Sequence, residues 1–254
     1  MSIKRWVITI LSLLVFIGCA VYVGSYFYGL KRDSDKMSHI QDIVHAQDPP
    51  AADKDQEKEI IEYAENGMIK KYVPAYEMNN DLTGWLRVYG TNIDYPVMYT
   101  NNGNDYYLRR GFDKEKNSSG MLFLDYDCNF TDSDNLIVYG HNMRNGTMFA
   151  ELLKYRSEDF YKNAQYIRFD SLYQKSVYKI IGAMHIKSGS PFKYYEFAKA
   201  ETPEEFNEYV ANVKKLSLYD TGESAEYGDK LLTLSTCSYN TSDERFVVVA
   251  KKVE

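Results

Sequence analysis

Positions 6–30 (WVITILSLLVFIGCAVYVGSYFYGL) carry no charged side chain, and no other feature limits this chain as much. Wound as a helix, the stretch would extend about 37 Å at ~1.5 Å per residue. A bilayer's hydrocarbon core is about 30 Å thick, so the segment is long enough to cross it with some tilt. Trp6 at one end and Tyr22, Tyr26 and Tyr28 toward the other suit the two interfaces. The expectation is an uncleaved signal anchor. A cleaved signal peptide fits less well, because no A-x-A site closes the run. Phe16-Ile17-Gly18-Cys19 is a poor lipoprotein box, with Phe in its first position. Lys4 and Arg5 precede the span and Lys31, Arg32 and Lys36 follow it, so the count of basic residues does not set the orientation. A short basic tail before a long span matches a signal anchor, which places the N-terminus inside and the C-terminus outside.

The rest of the chain reads as an anchored, water-soluble domain. The net charge is −6, which argues against nucleic acid as a partner, because that needs a basic stripe to displace counterions. Aromatic residues reach 15%, including 24 Tyr, too many for a disordered chain. Three cysteines, Cys19, Cys128 and Cys237, do not make a disulfide scaffold. Residues 1–5 are expected to be a cytoplasmic tail, 6–30 the anchor, 31–80 a helical spacer or linker and 81–254 the functional domain, so that a helical region precedes the barrel. Within the spacer, 48–52 (DPPAA) reads as a linker and 54–68 as a helix ending near Gly67.

From about residue 81 the texture changes to short apolar runs bounded by Gly, Asn and Asp. Candidate strands lie at 84–88, 93–99, 120–125, 136–139, 166–170, 177–186, 230–235 and 246–251. Their spacing is too irregular for alternating strands and helices. A closed, mainly β eight-stranded barrel hides the edges. One helix interrupts the strands, after the sixth. Thr202, Pro203 and Glu205 start it with a capping box, and Phe206, Tyr209, Val210, Val213 and Leu216 share a face. Residues 149–161 form a weaker helical region.

Few residues offer chemistry. His39 and His45 fall in the spacer and are expected to be solvated. His185 lies within a strand run and reads as a packed or surface histidine. His141 differs, because the apolar run 136–139 stops at Gly140 and presents an imidazole at the strand's mouth. Cys19 is inside the span, and Cys128 reads as a bystander thiol. Cys237 ends the run Leu231-Leu232-Thr233-Leu234-Ser235-Thr236 and is followed by a polar loop, after which Arg245 opens the last strand. If that loop is a hairpin, Cys237 and Arg245 meet at its mouth. A cation beside a thiol lowers its pKa and supplies an oxyanion donor, and a histidine adds a proton carrier. No metal-ligand, Walker or dinucleotide-binding pattern is present in the sequence, and no cofactor is implied.

Thr233-Leu234-Ser235-Thr236-Cys237, with Arg245 eight residues later, resembles the signature of sortases. Tyr139-Gly140-His141-Asn142 with Thr147-Met148-Phe149 is similar to the histidine segment of class B. Asn92-Ile93-Asp94-Tyr95-Pro96-Val97 and Gly120-Met121-Leu122-Phe123-Leu124-Asp125 extend the similarity over about 81–254. The resemblance implies a membrane-anchored transpeptidase on the outer face of a Gram-positive cell. It would cleave a sorting motif after Thr and hold the acyl group as a thioester. It would then pass that group to an amine of peptidoglycan precursor or of another surface protein, such as a pilin.

In that scheme Cys237 is the nucleophile, His141 the acid-base and Arg245 the oxyanion or substrate-positioning cation. The resemblance also implies a substrate groove of Asn104, Leu108, Ser190, Tyr194, Tyr195 and Ser235. Tyr239 stands where an acidic residue would be needed for an aspartate-assisted scheme, so only Asp243 or Glu244 remain for that role. Two rivals stand beside this reading. One is a secreted cysteine protease using water as acceptor, and the other is a surface adhesin barrel with no chemistry. Sequons at Asn145 and Asn240 adjoin His141 and Cys237, where glycans would block the site.

Overall fold

Eight strands close on themselves in the order β1-β2-β3-β4-β7-β8-β6-β5, with β5 pairing back to β1. In chain order they are β1 (Leu82–Val88), β2 (Asp94–Met98), β3 (Leu122–Leu124), β4 (Asn135–Tyr139), β5 (Tyr166–Ser171), β6 (Val177–Lys187), β7 (Leu231–Cys237) and β8 (Glu244–Lys252). The computed structural model describes residues 3–46, 61–103, 106–237 and 244–254. Each expected strand is found, with its ends shifted by at most two residues. The pairings are antiparallel except β2 with β3 and β4 with β7. Closure leaves no free edge.

The chain forms two units, 1–40 and 41–254. The first is occupied by helix α1 (Ile3–His45), which carries the charge-free stretch and exposes its apolar side chains. By length and composition this helix can cross a membrane. It continues past Leu30 without a break into the segment expected as a helical spacer, as far as His45. No Gly or Pro interrupts the chain between Gly29 and Pro49. Met37, Ile40 and Val44 also fall at the i, i+3, i+7 spacing of one helix face. The expected linker 48–52 and the first part of the expected helix 54–68 lie outside the described residues. The described remainder of that helix is not helical. Tyr63 bridges to Ile69, and Gly67, at φ +78°, makes a turn between them.

Within the second unit, Asp94 is a hub. It accepts from Trp85 Nε1 at 2.6 Å, faces His45 Nε2 at 3.1 Å, and its main-chain oxygen accepts from Gln41 at 2.6 Å. His45 is therefore paired rather than simply solvated. Burial opposes ionisation of Asp94, but the His45 and Trp85 hydrogen bonds and the Arg87 charge outweigh it and hold the carboxyl below its usual range. On the neighbouring wall, Tyr72 stacks on Trp85 and donates to Asp170 at 2.7 Å.

Helix α2 (Val73–Met78) precedes the barrel, and α3 (Glu158–Asn163) follows a 3₁₀ segment, Ala150–Arg156. The region 149–161 is thus two short helices, broken at Ser157, whose hydroxyl caps α3. Helix α4 (Pro203–Leu216) covers β6 and buries Phe206, Tyr209, Val210 and Val213. Thr202 accepts from the Glu205 amide at 3.3 Å, but the Glu205 carboxylate returns to the Glu201 amide rather than to Thr202. The capping box is half formed.

Candidate active site

The parallel β4–β7 ladder pairs Ile137 with Thr233 and Tyr139 with Ser235, and continues through a bond from the Gly140 amide to the Ser235 carbonyl at 3.2 Å. His141 follows two residues after Tyr139, just past the end of β4, and Cys237 two residues after Ser235, at the end of β7. The antiparallel β7–β8 ladder pairs Cys237 with Arg245, and Arg245 also pairs with Ile186 of β6. Directly paired residues in an antiparallel ladder have Cα atoms about 4.5–5.5 Å apart. Three neighbouring strands, β4, β7 and β8, therefore carry His141, Cys237 and Arg245 at or just past their ends on one side of the barrel, although these lie up to 104 positions apart in the chain.

Glycine makes this arrangement possible. A Cβ on Gly140 would collide with Leu122 Cδ2 and come within 2.8 Å of Phe149 Cδ2. Phe149 is fully buried and its amide donates to the His141 carbonyl at 2.8 Å. Gly140→Ala should therefore push β4 away from the Phe149 turn and displace His141. Overpacking of this kind costs about 1–3 kcal/mol. The expected result is a drop in Tm of roughly 2–10 °C for a domain of this size, with a loss of turnover beyond what the residual fold predicts. Unchanged turnover and Tm would show that the close approach is not needed.

The His141 ring is partly buried, with Nε2 2.8 Å from the carbonyl oxygen of Leu108. A carbonyl only accepts, so Nε2 carries hydrogen and Nδ1 remains for proton exchange. Leu108 was expected on the groove, and what the structure adds is its main-chain oxygen on the histidine. No sequence pattern announces a contact made by a carbonyl 33 positions away. Asn104 lies outside the described residues.

The exposed Arg245 borders a cleft of about 320 Å³ whose walls include Tyr139, Ile186, Ser190, Tyr194 and Tyr195. Tyr195 is half exposed and meets Tyr194 edge-on, with ring centroids 5.5 Å apart. Tyr194 and Ser235 are both nearly inaccessible and share a hydrogen bond of 2.7 Å. Their hydroxyls stiffen the wall and are committed to each other. Behind the wall, burial and the Asp125 carboxylate raise the Tyr139 phenol well above its normal range, so its proton stays on.

The other histidine and cysteine of the barrel are occupied elsewhere. His185 Nδ1 lies 3.1 Å from Glu244, and the ring packs edge-on against Phe246. That contact ties Glu244 to β6, and Asp243 lies outside the described residues. Cys128 is 1% exposed, contacts the Asn135 carbonyl oxygen at 3.3 Å, and burial pushes its thiol up to about 12. A thiol so protonated is a poor nucleophile.

Comparison with known proteins agrees with this geometry. The Sortase domain model matches residues 86–253. The chain belongs to the sortase family, the cysteine transpeptidases of Gram-positive cell walls, and within it to class B. Sortase B of Listeria monocytogenes is 34% identical over 183 residues, covering 70% of this chain and 72% of that protein. The X-ray structure of Clostridium perfringens sortase B superposes with a TM-score of 0.67 at 34% identity, covering 72% of this chain and 99% of the other. Bacillus anthracis sortase B in complex with AAEK1 gives a TM-score of 0.76 at 26% identity, covering 90% and 99%.

Proposed function

We propose that this chain is a membrane-anchored sorting enzyme whose barrel faces the cell exterior, with Cys237, His141 and Arg245 as its catalytic residues. The reading is supported by the β7–β8 register, which pairs Cys237 with Arg245, and by the position of His141 just past the end of the neighbouring strand β4. The substrate is the sorting peptide of a surface protein, cleaved after Thr. The Cys237 thiolate attacks the Thr carbonyl carbon and a C–S bond forms. Arg245 holds the oxygen as it takes up negative charge. His141, as imidazolium, gives its Nδ1 proton to the departing nitrogen while the C–N bond breaks. An acceptor amine then attacks the thioester and a new C–N bond forms. The C–S bond breaks, and His141 takes the amine's proton. Thiolate and imidazolium are restored together.

The cycle needs no external energy source, because the thioester conserves the energy of the amide it replaces. Candidate acceptors are an amine of peptidoglycan precursor and a side-chain amine of another surface protein or pilin. Asn104, Leu108, Ser190 and Tyr195 are assigned to peptide binding, with Tyr194 and Ser235 as the wall behind them.

The test incubates the detergent-solubilised chain with peptides bearing Thr-Gly or Thr-Asn and a panel of amines. Products are identified by mass. The expected result is an amide to the added amine, formed at the expense of free acid in proportion to amine concentration. Acid alone at every amine concentration would assign a hydrolase. No cleavage of any peptide, with no labelling of Cys237, would favour the binding barrel.

A further inference from the structure

We propose that Tyr107 is a positioning residue for this reaction, holding the Leu108 carbonyl where it fixes the tautomer and orientation of His141; the inference rests on the role given to His141 above. Leu108 belongs to a single 3₁₀ turn, Tyr107–Arg109. So short a turn has little stability of its own, yet its carbonyl meets a ring nitrogen at 2.8 Å. Something else holds it in place.

Three tethers do so. Tyr107 is 1% exposed, and its hydroxyl donates to Asp81 Oδ2 at 2.6 Å while accepting from Asn79 Nδ2 at 3.0 Å. Asn79, also buried, reaches the Phe112 carbonyl at 2.6 Å and accepts from the Asp81 amide at 3.0 Å. Lys114 Nζ adds a second contact to Asp81 at 2.9 Å. On the main chain, the Met121 amide donates to the Tyr107 carbonyl at 3.0 Å. Gly120, at φ +58°, lies so close that a Cβ there would strike the carbonyl oxygens of both Tyr107 and Leu108. The turn is thus clamped from its buried side by a polar triad and from above by a glycine, and the Leu108 carbonyl is left to accept from His141.

The chemistry follows from the donor and acceptor roles. Holding hydrogen on Nε2 leaves the Nδ1 lone pair as the acid-base site. Burial and the adjacent Asp81 carboxylate raise the Tyr107 phenol far above its ordinary range. The hydroxyl therefore remains a donor at any working pH. A phenylalanine would fill the same space, so what the tyrosine adds is the tether.

The experiment compares Tyr107→Phe with the unaltered full-length chain in detergent. It measures kcat, KM and the ¹⁵N shifts of His141 across pH. Loss of one well-made hydrogen bond corresponds to a change of roughly five- to tenfold. The expected result is a fall of that order in kcat with KM within about twofold. The neutral His141 ring should become a mixture of tautomers. Asp81→Ala, at a more exposed position, removes the acceptor while leaving the ring packed and should reproduce the change. Asp81→Asn keeps an acceptor oxygen and should restore most of the activity. Unchanged kcat and unchanged His141 shifts in a folded Tyr107→Phe chain would overturn the proposal. So would lost activity with the His141 shifts unmoved, which would mark Tyr107 as merely structural. Failure of the underlying reading appears separately, as turnover that survives replacement of His141 itself.

Discussion

Replacing Cys237 with alanine is expected to reduce peptide cleavage and amide formation to background, while Cys128→Ala leaves both within about twofold of the parent. The contrast follows from where the two thiols lie. Covalent catalysis needs a thiolate, and an ordinary cysteine is only a few per cent ionised at neutral pH. Cys128 is far below even that, because burial pushes its pKa to about 12 and its sulfur is committed to the Asn135 carbonyl. Cys237 is paired in register with Arg245, and its strand neighbours β4, after which His141 follows. In the proposed mechanism the Arg245 guanidinium and a His141 imidazolium favour its thiolate. The measurement is trapping of the acyl-enzyme with a sorting peptide, followed by intact mass and peptide mapping. The expected adduct is on Cys237 alone. An adduct on Cys128, or a Cys237→Ala chain with full activity, would falsify the assignment of the nucleophile. Cys128→Ala removes one buried sulfur from a packed site, so its cost should appear in stability rather than in rate.

Local chemistry and non-local pairing divide what the sequence discloses from what it conceals. The eight strand runs are legible because β-branched and aromatic residues end at Gly, Asn or Asp. Helix α4 is legible from Thr202, Pro203 and its spaced apolar face. Cys237 and His141 stand out because each terminates an apolar run. That β4 and β7 are parallel neighbours is not a local property, and the arrangement of the three residues depends on it. Helix α1 runs past Leu30 because Lys31, Arg32 and Lys36 are good helix formers and no Gly or Pro breaks the chain before Pro49. The Asp94–His45 pair joins positions 49 apart, and the His141–Leu108 contact uses a backbone oxygen, so neither has a sequence signature. Tyr194 and Ser235 show the converse. A resemblance to a binding groove picked out the right neighbourhood, but their side chains face each other and form its wall.

Arg245→Ala should lower kcat/KM by at least about 10²–10³-fold, the usual consequence of losing one oxyanion donor, and Arg245→Lys should recover only part of that loss. Arg245 is exposed at the rim of the cleft, while its backbone is held on both sides, by Cys237 on β7 and Ile186 on β6. Its neighbours Phe246 and Val247 are fully buried, so the start of β8 is anchored however the side chain is changed. The alanine variant should consequently fold with a Tm near that of the parent. A lysine retains the positive charge and with it some of the thiolate's stabilisation. It loses the planar fork that can hold a developing oxyanion and a peptide carbonyl together in fixed geometry. Charge and geometry are therefore separable in the kinetics. The pH dependence of Cys237 alkylation should be nearly normal in the lysine variant and shifted upward in the alanine variant, because alkylation senses the thiolate alone. The acylation rate should be depressed in both, because acylation also needs the fork. If lysine restored acylation fully, Arg245 would act as a point charge, and the oxyanion would have to be held by other donors at the barrel's end.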